Sequence, residues 1–293
     1  MRLKRFDLTT MLQLLNTLRQ IWNSDSVHPV AGYVRHVQWH MRRLLRGFPV
    51  DLPLSHSVLH VDKATGAAAL VNAMGKYDYN NMSFVAELLG RSGGTFVDVG
   101  ANIGTYTLVA SEVPAARVIG IEPHPATFAQ LVENVRRNGR GNVTCLSVAL
   151  SDHVGTIRLT DLADLCVNRV LDPDDEPSPS VTVGCRTMAG VCSELGIVPY
   201  VVKIDVEGHE RAVLDGFGGA ATGCEAILVE GGQRLSIRAW MKQSGFAGPL
   251  FVHFRKRLLS PSPQPRAEDP VFIRGSLVSV LRRSNFDVSG PGL

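Results

Sequence analysis

In TFVDVGANIGTYTLVAS, residues 95–111, an apolar run reaches an acid, two glycines bracket a short polar turn, and an apolar helical pattern begins at once. A strand, tight turn and helix in immediate succession form the repeating unit of a parallel sheet covered by helices, so this segment predicts an α/β fold. Gly100 and Gly104 let the backbone approach a ligand closely, and the helix start presents free N–H groups. Dinucleotide folds place G-x-G-x-x-G at this turn. Here the spacing is G-x-x-x-G, with Asn102 where the second fingerprint glycine would stand and Asp98 just before the turn. A carboxylate at that position repels a pyrophosphate and suits a ligand with a cationic tail.

Strand-like and helix-like patterns alternate over residues 76–283, which predicts a mostly parallel sheet with helices on both faces. Strands are expected at Thr95–Val99, Arg117–Ile121, Val143–Ala149, Val181–Arg186, Tyr200–Asp205 and Ala226–Glu230. A helix from Pro125 is expected to bury Phe128, Leu131, Val132 and Val135, and Phe251–Phe254 with Val271–Ile273 to form a terminal hairpin. Residues 1–75 read as an N-terminal helical extension. Met11, Leu14, Leu15 and Leu18 make one apolar stripe, and Val34, Val37, Met41, Leu44 and Leu45 make a second. Such a unit suits a lid, a docking surface or a cap packed on the core. Residues 284–293 read as a flexible tail.

The 293 residues carry a formal net charge of +3 and are 45% hydrophobic, enough to bury a core. Arg35, Arg42, Arg43 and Arg46 read as a solvated helix face, so no nucleic-acid partner is expected. The five cysteines form no C-x-x-C pair, which gives no support to a zinc or redox centre. Nothing in the cysteine and histidine spacing demands a metal, and none is expected. No membrane span and no export signal stand out, so the default expectation is a cytoplasmic protein of open oligomeric state.

Two further segments carry chemistry. Glu122 ends the second strand, 18 positions beyond Gly104, where an acid takes the ribose hydroxyls of an adenosine cofactor. In VVKIDVEGHE, Lys203 and Asp205 share a strand face, and Asp205, Glu207 and His209 fall at the carboxyl end, where substrate meets cofactor in open α/β sheets. Glu230 closes another strand at the same edge. A donor bearing both an ammonium and a sulfonium, S-adenosylmethionine, satisfies the electrostatics of Asp98. The catalytic candidates are Asp205, His209 and Glu207, with either Asp205 or His209 as base. A nicotinamide-dependent oxidoreductase and a non-catalytic scaffold are the rival readings. RNA or protein methylation is a third.

FVDVGANIGTYTLVAS, VIGIEPHPATFAQLVENVRRNG, NVTCLSVALSDHVGTIRL and VVKIDVEGHERAVLDG, in this order between about residues 77 and 232, resemble the FkbM family of methyltransferases. The resemblance implies a Rossmann-like class I methyltransferase sheet of about seven strands, the last antiparallel. It also implies S-adenosylmethionine as donor and O-methylation of a hydroxyl on a sugar, glycan, glycolipid or natural product. By similarity Asp98, Gly100, Asn102 and Gly104 would line the methionine part and Glu122 the ribose. Ser151 and Asp152 would border the adenine, and Asp205, Glu207 and Gly208 the transferred methyl. Where the family usually has Thr-Leu-Asp before the KIDVEG strand, this chain has Thr187-Met188-Ala189, so that acid is missing.

Overall fold

The computed structural model describes residues 15, 17–22, 27–45, 47–62, 66–162, 168–171, 178–263 and 269–290, without the side chains of 43, 44, 66 and 67. Met11, Leu14, the Leu44 side chain, Cys166, residues 172–177 of the proline-rich loop and residues 291–293 lie outside that set.

Five parallel strands form the centre of a nine-stranded sheet: β3 (Gly94–Val99), β4 (Ala116–Ile121), β5 (Val143–Leu146), β9 (Pro199–Ile204) and β10 (Ala226–Val229). Their order is β10-β9-β3-β4-β5, so the chain reverses direction across the sheet between β3 and β9. An antiparallel wing extends the β10 edge through β13 (Val271–Ile273), β11 (Ala247–His253) and β12 (Leu258–Ser260). β14 (Asp287–Val288) then pairs with β12 in parallel. Phe251–His253, expected to pair with Val271–Ile273 in a hairpin, instead pair with β12, and β13 runs antiparallel to the earlier part of β11, from Ala247 to Leu250. The stretch after 283, expected to fray, instead closes the sheet and buries Phe286 and Val288 as far as residue 288.

Strand alternation divides the core in two. Phe96, Val118, Val201 and Leu228 face one hydrophobic cluster, while Val97, Ile119, Val202 and Ile227 face the other. Burial on both faces is why these strands read as continuous apolar runs. The helices Thr105–Ser111 and Pro125–Arg137 follow β3 and β4, as the pattern predicts. Three short strands, β6 (Ala149–Leu150), β7 (Gly155–Thr160) and β8 (Ser180–Arg186), make a separate small sheet beside the centre.

Two further elements depart from expectation. Residues 50–61, within the expected helical extension, form a hairpin of β1 (Val50–Leu54) and β2 (Ser57–Val61) whose Leu52, Leu54 and Leu59 join the main core. This hairpin explains the second departure. The Pro125–Arg137 helix buries Thr127, Gln130, Leu131 and Asn134, and leaves Val132 exposed. Asn134 Oδ1 accepts the His60 N–H at 2.7 Å. Its Nδ2 donates to the carbonyls of His60 (3.1 Å) and Ile103 (2.8 Å). A hairpin edge offers backbone groups that must be paired, and polar side chains pair them better than valines.

Candidate active site

The site begins with register. β3 and β9 lie side by side with Asp98 opposite Lys203. Two residues earlier Phe96 and Val201 enter the core from the same face, so alternation brings Asp98 and Lys203 to that face at the carboxyl ends of their strands. Asp98 is fully buried. Its Oδ2 accepts the Thr107 hydroxyl at 2.7 Å, while Oδ1 has no partner among the described residues. Gly120, paired with Asp98 on the neighbouring strand, makes room for this contact: a Cβ there would stand 3.0 Å from Thr107 Oγ1. Burial raises the proton affinity of Asp98 and the Lys203 ammonium opposes it. Lys203 Nζ lies 2.8 Å from Asp205 Oδ2 and 4.9 Å from the centre of the Tyr106 ring. Burial works against its charge, but Asp205 and Asp98 together hold its pKa above the ordinary lysine value.

The turn after β3 is fixed from two sides. The N–H groups of Gly100 and Ala101 both donate to the Ile121 carbonyl, at 3.0 and 2.9 Å. At Gly100, φ is +78° and a Cβ would lie 1.8 Å from the Asp205 carbonyl oxygen, so only glycine fits. Asn102 takes the left-handed conformation at φ +51° and donates its N–H to Glu122 Oε2 at 2.9 Å. Glu122 Oε1 accepts the His124 N–H, also at 2.9 Å. Burial raises the Glu122 pKa to about 7 in spite of these two donors. Each of its oxygens has a second lone pair to offer a ligand hydroxyl.

Past β9 the chain passes through Glu207, at φ +51°, and Gly208, at φ +103°. A non-glycine residue held there is strained backbone of the kind that collects at functional sites. It brings Glu207 toward Asp205 and Glu230, and carboxylate oxygens of the three lie within 4.8 Å of one another. Burial, then the charges of Asp205 and Glu207, push Glu230 up to about 8. Burial and Asp205 also raise Glu207. Lys203 compensates one of the three charges. The remaining negative charge invites protons, a cationic ligand or a divalent cation.

These groups line a single cavity of about 620 Å³. Of the residues expected at the site, Asp98, Gly100, Asn102, Glu122, Asp205, Glu207 and His209 line it. Gly104, Ser151, Asp152 and Gly208 stand outside the lining. Gly104, at φ +97°, starts the helix against Leu131, whose Cδ1 a Cβ would meet at 2.8 Å. Ser151 is buried behind the wall, with its Oγ 3.0 Å from His209 Nε2, and Asp152 turns outward to His153. Sequence reasoning missed Tyr77, whose hydroxyl lies 3.4 Å from Thr105 Oγ1, and the apolar wall of Ile157 and Leu159. The sequence Thr156-Ile157-Arg158-Leu159 alternates as a short strand does, but alternation does not say what the strand faces. Gln20 and Leu70 bring the N-terminal region to the same cavity.

The profile of the Methyltransferase FkbM domain matches residues 98–258, which contain the glycine turn, the carboxylate trio and the central strands β4, β5, β9 and β10. Hexuronic acid methyltransferase AglP of Haloferax volcanii is 37% identical over 136 residues, 45% of this chain and 54% of the relative. The 31-O-demethyl-FK506 methyltransferase FkbM of Streptomyces tacrolimicus is 30% identical over 158 residues, covering 43% of this chain and 60% of the relative. Methyltransferase 1 of Beauveria bassiana is 28% identical over 141 residues, covering 41% and 57%. The chain thus spans little more than half the length of the curated relatives it matches.

Proposed function

This chain belongs to the FkbM methyltransferase family, and on that premise we propose that it transfers a methyl group from S-adenosylmethionine to a hydroxyl of a sugar, glycan, glycolipid or natural product. The observation that carries the reading is the buried Asp98 carboxylate, which borders the cavity and whose Oδ1 has no partner among the described residues. A buried unpaired carboxylate oxygen is costly unless a ligand cation or donor completes it. The ammonium of the donor's amino-acid end does so. The close approach at Gly100 leaves backbone room for that end, Glu122 has lone pairs for the ribose hydroxyls, and Ile157 and Leu159 offer an apolar wall to the adenine. The residues present therefore fit the donor. Asp98 disfavours a nicotinamide dinucleotide, whose pyrophosphate would meet its charge, and a cavity lined rather than filled by the described side chains favours a catalyst over a scaffold.

When bound, the donor supplies a methyl already activated by its sulfonium. The chain's own work is to align the acceptor, exclude water and receive a proton. We assign the proton to the carboxylate trio. Asp205 is held on Lys203 at 2.8 Å, while Glu230, with its pKa near 8, is matched to removing a proton close to neutral pH. Glu207 and Asp205 raise Glu230 by their charge. His209, the other base expected from sequence, touches Ser151 through Nε2 and supports the wall. The acceptor class draws support from the hexuronic acid and the 31-O-demethyl-FK506 named for the relatives. A labelled-donor screen over glycan, lipid and small-molecule extracts tests the reading. A labelled product that disappears with Asp98→Asn is expected, and no transfer to any hydroxyl-bearing fraction would overturn it.

A further inference from the structure

The Pro29–Leu45 helix packs on the protein through Gly32, His36 and Trp39. Gly32 allows the close approach, because a Cβ there would lie 2.4 Å from Ile21 Cγ2. The opposite face is apolar and bare. Val30, Val34, Val37, Met41 and Leu45 are each between 51% and 75% exposed. Their spacing of four, three, four and four residues puts them in one stripe along the helix. The stripe read from sequence as a possible packing face is thus turned outward.

Charge indicates what covers it. The helix contains no acidic residue, and Arg35 and Arg42 stand exposed about a quarter turn from the stripe. Eight of the 30 basic residues and only two of the 27 acidic ones fall within the first 50 positions, so that stretch carries +6 and the remainder −3. A cationic polar flank beside an apolar stripe is the composition of a helix lying in a lipid interface, where arginines meet headgroups and short aliphatic side chains enter the acyl boundary. Two copies meeting stripe to stripe would bring two acid-free basic helices together, and a nucleic acid would leave the valines uncovered. No helix among the described residues is long and apolar enough to cross a membrane.

We propose that this helix docks the protein peripherally on an anionic bilayer, with the valine stripe buried in the interface and Arg35 and Arg42 on the phosphates. The same N-terminal region contributes Gln20 and Leu70 to the cavity wall, so the docked unit and the site are contiguous. The test is co-sedimentation of the full chain with vesicles of phosphatidylcholine alone and of phosphatidylcholine with phosphatidylglycerol. Binding to the anionic vesicles only, falling with added salt, is expected. Val34→Glu/Val37→Glu should weaken it by about tenfold or more, and Arg35→Glu/Arg42→Glu by about thirtyfold or more. Unchanged far-UV circular dichroism establishes that each variant is folded. Should a glutamate variant fail that check, Val34→Ser/Val37→Ser carries the same comparison. Absence of sedimentation with anionic vesicles, or equal binding by folded stripe variants, overturns the proposal. So does a dimer in solution that the stripe variants dissolve, because it assigns the face to a second copy. None of these outcomes depends on methyl transfer.

Discussion

At Glu230, burial and two neighbouring acids raise the pKa to about 8, so the base is protonated through most of the acidic and neutral range. The rate kcat/KM is therefore expected to rise with pH and level off above about 8. Glu230→Gln should lose about 100-fold and flatten that rise, as loss of a general base does. A pH–rate profile of both proteins checks this, and an unchanged profile in the variant would return the role to Asp205 or His209. The Lys203–Asp205 pair makes a second residue-scale prediction. Removing the ammonium leaves buried Asp98 without its compensating charge, so Lys203→Met should destabilise the fold by about 3 kcal/mol in urea. Sequence made both strands' acids legible, because a charge in an apolar strand is anomalous wherever it occurs. It did not make Glu230 prominent, since its importance lies in distance to Glu207, and that distance depends on a left-handed residue that no spacing rule reveals.

Among the elements, the β3 turn was readable because its constraint is local: glycines where the backbone must come close and an acid at the strand end. The Pro125–Arg137 helix was located correctly from its proline, yet of the four residues expected on its buried face only Leu131 is fully buried. The neighbour that decides that face is the β1–β2 hairpin, more than 60 residues away in sequence, and the helix answers it with Asn134 and Gln130. Replacing Asn134 by Leu leaves the His60 N–H and the Ile103 carbonyl buried without partners. The expected cost is about 3 kcal/mol, read as a lowered urea midpoint with little change in slope. A midpoint equal to wild type would mean the hairpin is not held there. The Pro29–Leu45 helix teaches the same lesson, since periodicity gives a stripe but not its direction.

Over the whole molecule, buried acids gather where β3, β4, β9 and β10 end. Burial, before any other cause, pushes Glu122 and Asp269 up to about 7 and Glu230 to about 8. Each of these groups holds a proton in the folded protein at a pH where the unfolded chain has released it. Their stabilising contribution is complete below the ordinary carboxylate range and is lost as pH rises through 7 to 8. Glu87 has the opposite sign. Its hydrogen bond from Arg257 holds it near 2, so its contribution is lost only in strong acid. Between pH 5 and 8 the raised group governs, and the urea midpoint of the ligand-free protein should fall across that interval. A midpoint that rose instead would show the acid cluster to be solvated. Asp98 and Asp205, set beside this cluster at one cavity while the N-terminal region carries the positive surplus, are the acids a cationic donor meets. Titration of S-adenosylmethionine into the wild-type protein and into Asp98→Asn, followed by calorimetry, tests that claim most directly. Binding by wild type and an affinity about 10- to 100-fold weaker in the variant is the expected result, and equal affinity in both, or preferential binding of a nicotinamide dinucleotide by the wild type, would contradict it.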